Sequence, residues 1–173
     1  MSEAEIDPIE DVLQRARLLH KAATEEDPSA LARVRSLEEA RELPPAEIQR
    51  RHCLSALARE LGFRGWPHAV KVLAGEAEGD LGELMHRSNG GAYTNIWSAD
   101  YAEASAIRGE HGGYLLPYRR QFFITEAAFV EALGLDASHE DWERIGRDFV
   151  QPRDRAAWAR ITRRAIAARL PAS

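Results

Sequence analysis

The stretch "LSALARELGF", residues 54–63, constrains the fold more than any other. Leu54, Leu57, Ala58 and Leu61 recur at i, i+3, i+4 and i+7, which puts all four on one stripe of a helix. Gly62 follows, and glycine enters the left-handed conformation of a helix C-cap without steric cost. Phe63 stands where a Schellman ending returns an apolar side chain onto the helix. A helix with one apolar stripe must bury it against other elements, so this part of the chain predicts a packed helical assembly.

The flanking sequence supplies the partners. Ile9, Val12, Leu13, Ala16 and Leu19 keep helical spacing over residues 9–20. Asp27-Pro28 has the form of an N-cap with proline at the first helical position. Leu31, Val34 and Leu37 line the buried side of that helix, and Ser36-Leu37-Glu38-Glu39 has capping-box spacing that predicts a break near Ser36. Pro44-Pro45 ends one helix and starts another. Pro67 opens a short helix with Val70 and Leu73, closed by Gly75. A DNA-reading helix-turn-helix does not fit here, because "PHAVKVLAG" offers only His68 and Lys71 as polar readers.

These residues carry a resemblance. "DPSALARVR" followed by "LARELGFRGWPHAVKVL" is similar to a small helical module of many bacterial proteins that often precedes ankyrin repeats. It is also similar to a helix-Gly-Phe-x-x-Trp pattern in glyoxalase-related proteins. The matching positions are Asp27, Pro28, Ala30, Leu31, Leu57, Ala58, Glu60, Gly62, Phe63, Trp66 and Pro67, within about residues 9–75. The resemblance implies a bacterial accessory module and transfers no catalytic residue. Neither a repeat with a period near 33 residues nor a glyoxalase metal-ligand pattern follows.

"GEAEGD", residues 75–80, is small, acidic and glycine-bearing, and reads as a linker. It divides the chain into a helical module, 1–79, and an α+β domain, 80–173. The second part holds three of the four tryptophans and all four tyrosines. Asp80 is placed to cap a short helix with Leu81, Leu84 and Met85. Ser88 to Gly91 is turn chemistry, and residues 92–97 read as a strand. Ser98 is expected to cap a helix from Ala99 to about Glu110, broken by Gly112-Gly113. Thr125 is expected to start a helix with Phe129, Val130 and Leu133, stopped by Gly134. Ser138 and Asp141 have N-cap and N3 spacing for a helix bearing Trp142 and Ile145, with the acidic run beside His139 read as an exposed first turn. Pro152 and Asp154 open a last helix with Trp158, Ile161, Ala165 and Ile166 on one side. The fold class is therefore mainly α: an all-α N-terminal helical module, then an α+β C-terminal part with a small sheet or hairpin.

"GGYLLPYRRQFFI", residues 112–124, is the stretch richest in polar and aromatic groups. It fits two strands, Tyr114–Leu116 and Phe122–Ile124, around a turn at Pro117–Arg120. It also fits one long helix from Pro117 to Leu133. "FFIT" favours strand, and Arg119 and Arg120 would face the positive end of a helix dipole, so strand and turn is the reading adopted. Tyr114 and Tyr118 offer hydroxyls, Arg119 a bidentate fork, and Gln121 an amide. Asn95, Trp97, Asp100 and Tyr101 lie in the preceding strand-turn-helix, and His111 sits just upstream of the glycine pair. If the strands pair, these nine residues could line a ligand pocket of polar groups in an aromatic wall. The plainer alternative is half-buried tyrosines and arginine stems packed over rings.

No phosphate-binding loop, dinucleotide fingerprint, zinc-protease helix or nucleophile elbow occurs. Cys53 stands alone and reads as a small buried hydrophobe. None of the six histidines forms an i, i+4 pair, and a site from His86 and His111 lacks support, so neither a metal nor a cofactor is expected. The net charge of −5 gives no global footprint for nucleic acid or an anionic membrane. Residues 153–173 concentrate six arginines against one acid, which suits nucleic acid or an acidic partner less well than a solvated helix face. No apolar run is long enough to span a bilayer and the N-terminus lacks an apolar signal core, so a cytoplasmic protein is expected. With no catalytic constellation, the leading expectation is a non-enzymatic protein-interaction or regulatory module that binds another protein or itself. A small-ligand binder or enzyme using residues 95–121 is the alternative, and whether there is catalysis stays open.

Overall fold

A computed structural model describes residues 7–87 and 93–170. Among these, the chain forms α1 (Pro8–Thr24), α2 (Pro28–Arg35), α3 (Arg50–Glu60), α4 (Trp66–Ala74), β1 (Ile96–Ser98), α5 (Tyr101–His111), β2 (Tyr114–Tyr118), β3 (Gln121–Thr125), α6 (Ala127–Ala132), α7 (Glu140–Arg144) and α8 (Arg155–Arg169). The protein is mainly α with one small antiparallel sheet, strand order β1-β3-β2. The helix ends follow local chemistry. Asp7, Asp27, Asp100 and Asp154 each accept a backbone N–H from the first turn of the helix they cap. The expected break near Ser36 is present, followed by a 3-10 turn at Glu38–Ala40.

α3 ends as its sequence predicts. Gly62 has φ 88°, Phe63 N donates to Ala58 O at 2.9 Å and Gly62 N to Arg59 O at 3.0 Å, the paired bonds of a Schellman ending. A Cβ on Gly62 would meet the Glu83 backbone carbon at 3.0 Å, so this position also needs glycine for the close approach of the next segment. Val12, Ala16, Leu57, Leu61 and Leu37 are essentially closed to solvent. Burying a leucine this completely contributes roughly 1.5–3 kcal/mol. α1 packs on α2, α3, α4 and α8, and one buried cluster continues from Val12 to Ile166.

Residues 81–85 are not helical as expected. Gly82 sits at φ 71°, and Asp80 Oδ1 instead accepts from Gly82 N at 2.9 Å, closing a turn. The freed backbone pairs at long range: Leu81 N donates to Arg119 O and Arg119 N donates to Gly82 O, both at 2.8 Å. A helix would have taken the Gly82 carbonyl for its own ladder. Ser88–Gly91 and Ala92, expected as turn and strand start, lie outside the described residues.

The hairpin reading of 112–124 holds. β2 and β3 pair from Tyr114↔Thr125 to Tyr118↔Gln121, leaving Arg119-Arg120 as a two-residue turn. Each strand is longer than expected, because Pro117 lies within β2, opposite Phe122. β2 is an outer strand, and the N–H of Leu115 points outward to Arg147 O at 2.9 Å. Pro117, two residues on, has its missing N–H on that same outer side, where a ladder loses nothing. Arg119 holds φ 52°, strained for a side-chain-bearing residue, and the two bonds to Leu81 and Gly82 keep it there.

Three caps shift along the chain. α5 is capped by Asp100 rather than Ser98, whose hydroxyl instead braces Asp100 and Glu103. α6 starts after Glu126, because Thr125 remains in β3. α7 is capped by His139, while Ser138 bonds to Asp136. The acidic first turn of α7 is also not simply exposed. Asp141 is 1% exposed and receives Arg160 Nη2 at 2.5 Å and Arg164 Nη1 at 2.7 Å from α8. Burial opposes its charge, but the two guanidinium bonds outweigh that and bring the carboxyl down to about 2. At the preceding position Glu140 faces water and at the next Trp142 enters the core, so only Asp141 meets the two arginines.

Candidate functional site

The register fixes which side chains share a face of the sheet. Trp97, Phe123 and Leu116 lie opposite one another across the strands, and Tyr118 faces Gln121 on the same side. The other side carries Ile96, Ser98, Phe122, Ile124 and Leu115. α5 covers it, with Ala104 packed against Leu115 and Ile124.

The first face carries an aromatic cluster. Trp97 stacks on Phe123 with ring centres 4.7 Å apart, and Tyr118 meets Trp97 edge-on at 5.7 Å. His86 lies 4.4 Å from Tyr118 and 5.7 Å from Phe123, and Phe129 closes the other side of Phe123 at 5.3 Å. Such pairs add roughly 0.5–1.5 kcal/mol each beyond the area they bury. Burial lowers the His86 pKa below its ordinary value, with Arg169 pushing the same way and Glu83 opposing. The segment carrying His86 is held by Arg169, whose guanidinium donates to the carbonyls of Glu60, Glu83 and His86. His86 as a member of this cluster was not foreseen. Its only sequence signal was a lone histidine after an apolar pair.

The nine candidate residues do not gather around one pocket. Trp97 and Tyr118 join the aromatic cluster. Arg119, at the hairpin tip, bonds to Glu83 at 2.5 Å and lies over the Tyr118 ring at 5.4 Å. Gln121 and His111 are exposed. Tyr114 is buried, donating to Ala137 O at 2.8 Å and meeting Trp142 edge-on. Asp100 serves as the α5 cap. Asn95 has a buried Oδ1 without a hydrogen bond among the described residues. Tyr101 sits on the α5 side and donates to Asp148 Oδ2 at 2.5 Å; burial first, and then this bond, push its hydroxyl up to about 12. Asp148 spends its other oxygen on the N–H groups of Val150 and Gln151, so Tyr101 and Asp148 brace the loop before α8.

Beyond this face, several ionisable groups serve the fold. Cys53 is fully buried and burial pushes its thiol up to about 11, which removes it as a nucleophile. Among the described residues no group of three or more His, Cys, Asp and Glu side chains could hold a metal ion. Most of the C-terminal arginines are engaged inside the molecule: Arg160 and Arg164 on Asp141, Arg163 near Asp11, Arg169 as above, and Arg155 on Ala74 O and over the Trp158 ring. No helix of the described residues is long and apolar enough to cross a membrane.

What remains open is the edge of the sheet. β1 pairs only with β3, and among the described residues no strand lies along its outer side. Ile96 and Trp97 on this strand are 39% and 42% exposed, and the only other large apolar side chain so exposed among the described residues is Leu18. No family model matches the chain, and neither a curated protein nor a solved structure matches it.

Proposed function

We propose that the chain is a non-enzymatic interaction module that binds protein through the β1 edge, with Trp97 as its anchor. The supporting observation is the conjunction at β1: an outer side along which no strand lies among the described residues, where the register turns the N–H and C=O of Trp97 away from β3, and two exposed apolar side chains, Ile96 and Trp97. An open strand edge is a template for a further strand, and backbone pairing of that kind supplies affinity while side-chain pockets supply selectivity. Trp97 suits the anchoring role because its inner ring face is already fixed on Phe123, so little rotamer freedom is lost on binding. The incoming strand belongs to another protein or to a second copy of this chain.

Light scattering on a concentration series, together with cross-linking to captured partners, tests this for wild type, Trp97→Ala and Ile96→Lys. The expected result is association in wild type that drops at least tenfold in both variants, with an unchanged melting temperature in Ile96→Lys and a lowered one in Trp97→Ala, which loses its stacking on Phe123. Association that persists equally in both variants removes β1 as the contact.

A further inference from the structure

We propose a second, separate site: the cleft where α5 and α7 end and the chain turns into α8 binds a tetrahedral phosphate group, free or carried on a small molecule. The cleft has a volume of about 380 Å³ and is lined by Arg108, Arg147 and Arg153, by Gly112, Gly113 and Gly146, and by a single acid, Glu143. Three arginines line it from separate stretches of chain: Arg108 on α5, Arg147 in the turn after α7 and Arg153 in the segment before α8.

Two of the three are not committed elsewhere. Arg108 Nε is buried and has no hydrogen-bond partner among the described residues. No ion pair holds the Arg108 guanidinium among the described residues, which leaves its charge to an anion in the cleft. Arg153 makes no side-chain hydrogen bond or ion pair among the described residues, unlike its neighbours on α8. Arg147 is the fixed member, bonded through Nε to Glu143 at 2.8 Å and lying over the Tyr114 ring at 5.2 Å. It offers its charge to the cleft from a held position.

Competing charges do not cancel the site. Glu143 neutralises one arginine, and the C-terminal ends of α5 and α7 contribute about half a negative charge each. An excess of about one positive charge remains in the cleft, and guanidiniums grip phosphate by parallel N–H bonds rather than as point charges. The glycines leave the cleft open. Gly146 is at φ 73°, a conformation that favours glycine, and Arg153 Nε lies 3.0 Å from where a Cβ would stand, so that guanidinium lies close against the turn. Above Gly112 nothing lies within 4 Å of a built Cβ, which leaves that wall free for the ligand.

Calorimetric titration and thermal shift on the full chain test the site with inorganic phosphate and glycerol phosphate, using chloride at matched ionic strength as the reference. The expected result is saturable binding and stabilisation by phosphate that chloride does not give. Arg153→Gln, at an exposed position, is expected to weaken binding at least tenfold with an unchanged melting temperature in chloride; Arg108→Gln is expected to do the same if it folds. Tighter binding of glycerol phosphate identifies an organic phosphate as the ligand, and equal binding identifies free phosphate. Equal responses to phosphate and chloride, or equal phosphate binding by wild type and Arg153→Gln, overturn the proposal.

Discussion

Helices α1–α4 and the region from β1 to α8 bury different kinds of side chain. The first region closes Val12, Ala16, Leu57 and Leu61 to solvent, and His52 is its one buried polar residue. The second buries Ser98, Thr125, Asp141, Asp148 and Thr162 among its apolar groups. Close packing sets the arrangement of the first region, whereas in the second Asp141 also requires both Arg160 and Arg164 in place. The contrast is in what joins the elements: the helices supply burial, while Asp141 ties α7 to α8 and Asp148 ties Tyr101 of α5 to the segment before α8.

Three measurements would break or sharpen this contrast. The largest effect belongs to the apolar side. Leu57→Ala is expected to cost about 2–5 kcal/mol by denaturant titration, because it leaves a cavity beside α1. A cost under about 1 kcal/mol would show that this core is loosely packed. Next comes Asp141→Asn, expected to cost about 2–4 kcal/mol by leaving two arginines without their carboxylate; Arg164, 39% exposed, tempers the loss. The pH dependence has a definite sign. Asp141 falls from 3.8 to about 2 on folding, so its stabilisation is complete above pH 3.8 and is lost as pH falls through 2. Asp141→Asn should flatten the stability curve in that window alone.

The smallest effect concerns His86. Its folded pKa lies below its ordinary value of 6.5, so protons favour the unfolded chain and stability declines as pH drops below 6.5. His52 is displaced in the same direction, burial again being the main cause. His86→Phe should therefore remove part of the decline in melting temperature and leave the His52 part. An unchanged decline would place His86 outside the packed cluster.

Local chemistry made much of this fold legible. Asp27, Gly62 and Asp154 act within a few residues of themselves, and the aromatic and β-branched residues of "FFIT" carry their own strand preference. Long-range pairing was not legible. Nothing near Leu81 announces that its N–H will seek Arg119, and nothing in "SHEDWE" distinguishes Asp141 from Glu140 until α8 brings two arginines onto it. The candidate site divided for the same reason. Tyr101 and Trp97 are four residues apart in sequence, but the turn into α5 carries Tyr101 to the far side of the sheet. The arginine cleft was not legible because its members, Arg108 on α5 and Arg147 and Arg153 in the segment between α7 and α8, share no spacing that marks a site.

The bonds between Arg119 and the Leu81-Gly82 backbone bear on how the chain tolerates engineering. A hairpin tip is ordinarily the first place to insert a tag or to open a new terminus. Here the tip is stitched to a distant segment by two backbone bonds and the Glu83 ion pair, so lengthening it would undo a tertiary joint. Gly79 has no atom within 4 Å of a built Cβ and lies between α4 and that joint. Foreign sequence belongs there, where the chain can be interrupted without unfastening the sheet.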